Sequence, residues 1–146
     1  MTISSEMALP ALFVLGAVVG SFLNVVIHRL PIMIDRSWPD DKIGKDTNPA
    51  PGGRYDLIYP PSACPHCGRR LGLLENIPLL GFVLLKGRCS TCEKPISWRY
   101  PLVEAAAAAL AVLLGWRFGL GWQLPLAIVF AYALLSAAVI DLERML

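Results

Sequence analysis

Hydrophobic and polar positions along this chain fall into long blocks rather than short periods. Leu9 to Ile27 contains no charged residue, and about 20 such residues carry a helix across the hydrocarbon core of a bilayer. Trp122 to Ile140 is a second uncharged block, and between them Leu102 to Trp116 is apolar apart from Glu104. The pattern predicts three transmembrane helices, because a chain that leaves by the first and returns by the second must cross an even number of times in between. A cleaved signal peptide explains the first block less well: no basic residue precedes Arg29 and no small-residue cleavage site follows the apolar core. The fold class expected is an α-helical polytopic membrane protein. Its units are a first helix over 1–28, a long loop over 29–101, and the second and third helices over 102–146.

The loop divides in two. From Pro31 to Pro61, prolines and glycines recur at Pro39, Pro49, Pro51, Gly52, Gly53 and Pro60, which predicts an irregular linker. From Ser62 to Ser97 the cysteines set the structure. Asn76 to Leu85 is a short apolar run bounded by Pro78 and Gly87. Periodicity leaves it open as a strand, a surface helix or a piece lying on the bilayer. The run Ala105 to Ala109 reads as ordinary membrane-helix filler.

Composition agrees with the membrane class, since 55% of residues are hydrophobic and only 16% charged, against about 25% charged in soluble domains. Charge adds an orientation. Eleven of the 13 Lys and Arg residues lie between Arg29 and Arg99, and none precedes the first helix. The positive-inside rule therefore puts the loop in the cytoplasm and the N-terminus outside. Trp116 and Trp122 bracket the expected external turn, while Trp98 and Tyr100 mark the inner boundary. The loop's excess of basic over acidic residues favours contact with an anionic inner leaflet. It does not favour nucleic acid, because no basic cluster is interleaved with stacking aromatics.

All four cysteines belong to one pattern: Cys64-Pro-His-Cys67-Gly68, then 21 intervening residues, then Cys89-Ser-Thr-Cys92. Two such pairs bring four thiolates to one tetrahedral centre, each pair closing a tight knuckle. Gly68 suits a knuckle that needs a positive φ. The competing reading, two disulfides, does not suit a reducing cytoplasmic compartment. Zinc or a similar soft-ligand metal is expected at Cys64, Cys67, Cys89 and Cys92. An iron–sulfur cluster is the other four-cysteine option, with nothing in the spacing to favour it. His66 reads as a surface residue. A closed four-sulfur site leaves no open position, so its role is structural; it holds together a loop too small to build its own core.

Within the helices, Gly16, Gly20 and Asn24 recur every four residues with Ser21 beside them. This stripe predicts close helix packing, with Asn24 as polar glue rather than a catalytic group. Glu104 and Asp141 lie near inner membrane ends and are functional candidates. An acid in the first helical turn offsets the macrodipole, which accounts for Glu104; an acid at a helix C-terminus opposes it, which singles out Asp141.

The strings Gly20-Ser-Phe-Leu-Asn-Val-Val-Ile-His-Arg-Leu-Pro31, Ser62-Ala-Cys-Pro-His-Cys67, Asn76-Ile-Pro-Leu-Leu80, Lys86-Gly-Arg-Cys-Ser-Thr-Cys92 and Ile96-Ser-Trp-Arg-Tyr-Pro-Leu-Val-Glu104 resemble, in family order, the opening of the bacterial prepilin peptidases, the type IV leader peptidases. Ile140-Asp141 with Arg144-Met-Leu146 is similar to the family's first catalytic aspartate motif. The resemblance implies a multi-pass aspartic peptidase of the bacterial inner membrane, with a periplasmic N-terminus. Such an enzyme cuts the leader from type IV prepilins and pseudopilins, and in many members N-methylates the new N-terminus using S-adenosylmethionine. It implies that Asp141 is one of two catalytic aspartates and places the methyltransferase with the cysteine loop. Gly87, just before Cys89, is then a candidate for close backbone approach to the cofactor, against the plainer reading of a turn glycine.

The chain departs from the family pattern after Asp141. The Pro-Asp that follows in the family and the second aspartate motif are absent, so the chain reads as the N-terminal half of a longer protein. On that reading it is inactive as a peptidase without its C-terminal half. Two other function classes stay open. A non-catalytic zinc-binding membrane module would dock a pilus or type II secretion assembly partner. A transporter bundle would run protons past Glu104 and Asp141.

Overall fold

A computed structural model describes residues 5–37 and 55–145. Its elements are α1 (Ser5–Ser37), α2 (Leu80–Leu84), α3 (Arg99–Phe118) and α4 (Gln123–Met145). Three of these are long and apolar enough to cross a membrane, over Met7–Asp35, Arg99–Phe118 and Gln123–Met145. They are the three helices predicted. Each runs a few residues beyond its uncharged block, because hydropathy marks the part in hydrocarbon whereas the helix continues until something ends it. The outward surface is apolar, with Val14, Val18 and Phe22 of α1, Leu113 and Trp116 of α3, and Val129 and Phe130 of α4 all exposed. In water such a surface would be an aggregation liability; against lipid it is the expected exterior. The chain is a multi-pass membrane protein.

The first helix overruns its expected end. It passes through Pro31 to Ser37, so the first nine residues of the expected loop continue α1. Pro31 removes one backbone hydrogen bond, to the carbonyl four residues earlier. The turn beyond it has a partner of its own, however: Asp35 pairs with Arg144 near the end of α4, 3.1 Å away. Pro39, Pro49, Pro51, Gly52 and Gly53 of the expected linker lie outside the described residues.

The bundle is built on the seam between α1 and α3. A methyl group added at Gly16 would stand 2.7 Å from the Ala108 Cα and 2.9 Å from the Ala107 carbonyl oxygen. One added at Gly20 would stand 2.8 Å from the Glu104 Cα. The two backbones therefore meet where both helices carry small residues, as membrane helices do in the absence of a hydrophobic drive between them. Ala107 and Ala108 are fully buried in this seam. The alanine run expected to be filler is the surface into which the α1 glycines fit, a correction that follows from its register opposite Gly16 and Gly20. One turn further on, the Asn24 side-chain amide donates to the Tyr100 carbonyl at 3.0 Å, which makes Asn24 the interhelical glue predicted.

The core beside the seam gathers Leu23 and Ile27 of α1, Val103 and Ala107 of α3 and Tyr132 of α4. The Tyr132 hydroxyl donates to the Ala107 carbonyl at 2.9 Å, so the same buried turn of α3 is held from both sides. Gly119, at φ 65°, ends α3, and Trp116 and Trp122 stand exposed on either side of the turn into α4.

Gly20→Val is expected to destabilise the bundle by about 1–3 kcal/mol, the usual range for overpacking. Gly121→Ala, where the nearest atom to an added methyl is 3.9 Å away, should be neutral. Thermal unfolding of the two variants in detergent, followed by tryptophan fluorescence, separates these outcomes.

Candidate functional site

The four cysteines of the loop come together. One sulfur from each of Cys64, Cys67, Cys89 and Cys92 lies within 4.8 Å of all the others. Across the cluster, Cys64 Sγ is 3.7 Å from Cys92 Sγ and Cys67 Sγ is 3.9 Å from Cys89 Sγ. A disulfide needs about 2.05 Å; the edge of a sulfur tetrahedron around zinc, with bonds near 2.3 Å, is about 3.8 Å. All four cysteines are free, and their geometry is that of a metal-binding knuckle pair.

Each knuckle is built the same way, 25 residues apart. In the first, the Gly68 amide donates to the Cys64 carbonyl and the Cys64 amide to the Arg69 carbonyl, both at 2.9 Å, and the Leu71 amide reaches the Ser62 carbonyl at 3.0 Å. In the second, Glu93 donates to Cys89 and Cys89 to Lys94, both at 3.0 Å, and Ile96 to Gly87 at 2.7 Å. Antiparallel bridges pair Ala63 with Arg70 and Arg88 with Pro95. The residue after each second cysteine has a positive φ, 69° at Gly68 and 55° at Glu93. The sequence marks this need only in the first knuckle, where the residue is glycine.

Backbone amides turned toward the sulfurs set their acidity. Those of His66 and Cys67 pull the Cys64 thiol down. Those of Cys92 and Thr91 pull Cys89 down to about 6. Cys92 instead rises to about 11, because burial and its crowded sulfur neighbours oppose a further negative charge. Without a cation the cluster holds protons that a metal would displace. His66 is exposed and stands outside the sulfur cluster.

Glu75, which the sequence did not single out, clasps the two knuckles together. Its carboxylate accepts from the Gly72 amide at 2.8 Å, from Arg69 at 3.1 Å and from the Ser90 hydroxyl at 2.8 Å. These donors, the Gly72 amide foremost, hold it near pKa 2. An acid in a loop carries no pattern that would reveal this; its partners become visible only once the knuckles are folded.

The folded loop is then seated on the bundle at two points. Arg29, nearly buried at the end of the first span, donates to the Asp56 carbonyl at 2.8 Å and to the Pro60 carbonyl. Glu104 accepts from the Leu79 amide at 2.7 Å. Because α3 starts at Arg99, Glu104 lies in its second turn and holds the loop; it does not cap its own helix. Leu79 sits at φ 61°, a left-handed conformation that costs a side-chain-bearing residue on the order of 1–3 kcal/mol. That conformation aims its amide at the carboxylate. Gly87, at φ 70°, has the Phe82 ring 3.1 Å from where a methyl would stand. It lines a groove of about 490 Å³ with Phe82 and Trp98.

Asp141 is exposed near the C-terminal end of α4. That end is fixed to its neighbours: Glu143 pairs with Arg99 at the start of α3, and Arg144 with Asp35 of α1. The structure thus puts Asp141 at the end of the bundle from which the cysteine loop leaves and returns. It does not bring Asp141 into the cysteine cluster.

A sequence profile of the Bacterial Peptidase A24 N-terminal domain matches residues 14–118. The chain is 44% identical over 136 residues to a "Prepilin leader peptidase/N-methyltransferase" of Stutzerimonas stutzeri, covering 91% of this chain and 47% of that protein. Proteins of the same name from Aeromonas hydrophila and Dickeya chrysanthemi are 45% identical over 143 residues and 50% identical over 123. The alignments cover 92% and 83% of this chain, and 47% and 42% of those proteins. The chain spans about half the length of the curated relatives it matches. No solved structure matches it.

Replacing Cys64 and Cys67 with serine should abolish metal binding, read as metal per protein by elemental mass spectrometry, and expose the loop to protease. Acid should act in the same direction. Protons compete with a metal for the same four sulfurs, because each must be deprotonated to ligate. Metal retained against a weak chelator should therefore decline as the pH is lowered.

Proposed function

The chain belongs to the family of the Bacterial Peptidase A24 N-terminal domain, and from that membership we propose that it serves in a membrane aspartic endopeptidase that removes the leaders of type IV prepilins and pseudopilins. Asp141 is one of the two catalytic carboxylates, and the second lies outside these 146 residues. Of two carboxylates sharing a proton, one deprotonates the attacking water while the other protonates the scissile carbonyl. The observation that carries this reading is the position of Asp141 at an end of α4 tied by ion pairs to both α1 and α3. A carboxylate at the membrane surface can meet a leader presented at the same membrane face.

The loop lies on the cytoplasmic side of the bacterial inner membrane and the N-terminus on the periplasmic side, a placement supported by the concentration of basic residues in the loop. The metal is zinc in a structural role: four sulfurs complete its coordination and leave no position for substrate. N-methylation of the cleaved product belongs to the same reading, with S-adenosylmethionine as methyl donor. The groove lined by Gly87, Phe82 and Trp98 supports a place for it. The two rings, 4.8 Å apart and tilted by 56°, offer a stacking surface for an adenine. A methyl added at Gly87 would stand 3.1 Å from the Phe82 ring, so a larger side chain there would crowd the groove.

In the longer protein, Asp141→Ala should lower the rate of leader cleavage by roughly 100- to 10,000-fold, the range for loss of a general acid or base. Metal content and membrane insertion should be unchanged. Cleavage of a co-expressed prepilin, followed by its gel shift, is the measurement. Wild-type cleavage by the variant would leave the chain as a zinc-binding membrane module that docks an assembly partner.

A further inference from the structure

The apolar run between the two knuckles has an unusual outer surface. Its helix, α2, turns Gly81 inward and stacks Phe82 on Trp98, yet leaves Leu80, Val83 and Leu84 57–67% exposed. Leu73 and Leu74 just before it are 93% and 70% exposed. Each large aliphatic side chain left in water forgoes the stabilisation of burial. The surface cannot turn inward to recover this, because α2 is fixed from two sides. The Leu79 amide is held by Glu104 at 2.7 Å, and Gly81 lies directly on the Glu75 backbone, where no Cβ fits.

We propose that α2 is an interfacial anchor, its outer face seated in the headgroup and acyl boundary of an anionic bilayer surface. Continuity with the lipid-facing side of the bundle supports this occupant. Val83 of α2 and Pro101 of α3 line one groove, and Leu102 beside it is 63% exposed on a membrane-spanning helix. Apolar surface therefore runs from α3 onto α2. Charge points the same way, since Lys86 and Arg88 follow α2 directly and border the same groove. Basic residues at a membrane surface are attracted by anionic lipid. Trp98, 69% exposed at the start of α3, is the residue type that settles at this depth. The anchor lays the metal knuckles along the bilayer. It rests on the three membrane spans and is independent of the peptidase reading.

The test uses the wild-type chain reconstituted in vesicles of phosphatidylethanolamine and phosphatidylglycerol, with a trace of phosphatidylcholine carrying a diazirine on its acyl chain. After photolysis, adducts are mapped by peptide mass spectrometry. Adducts on residues 80–84 at a density comparable with those around Leu102 and Leu113 are expected. They should fall when phosphatidylcholine replaces the anionic lipid and when Lys86→Glu and Arg88→Glu are combined, with labelling at Leu113 unchanged. An unlabelled α2 beside a labelled α3 overturns the anchor and means that water, a second copy or another part of a longer protein covers this face. Labelling indifferent to lipid charge and to the two reversals overturns the anionic assignment. Metal content, checked for each sample, establishes that the loop is folded.

Discussion

The loop between α1 and α3 exists as a structure only if four sulfurs can be held within 4.8 Å of one another. Two full negative charges about 4 Å apart repel by roughly 4 kcal/mol at the effective dielectric of a protein surface, and four thiolates multiply that cost. The knuckle amides offset part of it, which is why Cys64 and Cys89 ionise easily. They do not offset all of it, and Cys92 keeps its proton up to about 11. A divalent cation bound there would remove the conflict. Its binding energy would then become folding energy for a segment that, among the described residues, has two isolated bridges and one five-residue helix.

Once the knuckles close, the other loop contacts come into register. Ser90 and Arg69 are brought near enough for Glu75 to join them, and the chain between is short enough to present Leu79 to Glu104. The bundle supplies the other half of that contact. Gly16 and Gly20 let α3 approach α1 at backbone distance, and this fixes where Glu104 and Tyr100 stand. A buried carboxylate with a backbone amide to accept is far less costly than one without. The seam and the cysteine cluster therefore support each other through one hydrogen bond 25 residues apart in sequence. The ion pairs at the end of α4 are exposed enough to add about 1 kcal/mol or less each. Their contribution is to place that end, and Asp141 with it.

Much of this was legible in the residues, for physical reasons that differ from element to element. Transmembrane spans announce themselves because charge is excluded from hydrocarbon, and the cysteines because metal ligation demands fixed spacing. The stripe of Gly16, Gly20 and Asn24 was legible for the same reason that it packs, its four-residue repeat. Its partner surface was not, since Ala107 and Ala108 look like any apolar filler until the register between helices is known. The extension of α1 past Pro31 was hidden because its support, Arg144, lies more than a hundred residues away. Glu75 was hidden because a clasp has no periodicity, and the role of Glu104 because its partner is a backbone amide. The second knuckle shows the same limit: Glu93 adopts a conformation that glycine would advertise.

The proposed metal held by four sulfurs organises the loop, and X-ray absorption at the metal edge of the purified protein tests that most directly. A first shell of four sulfur atoms near 2.3 Å, with no nitrogen or oxygen, is the predicted result. A shell containing nitrogen or oxygen, or a protein that keeps its folded loop with the cysteines oxidised in pairs and no metal present, would contradict it.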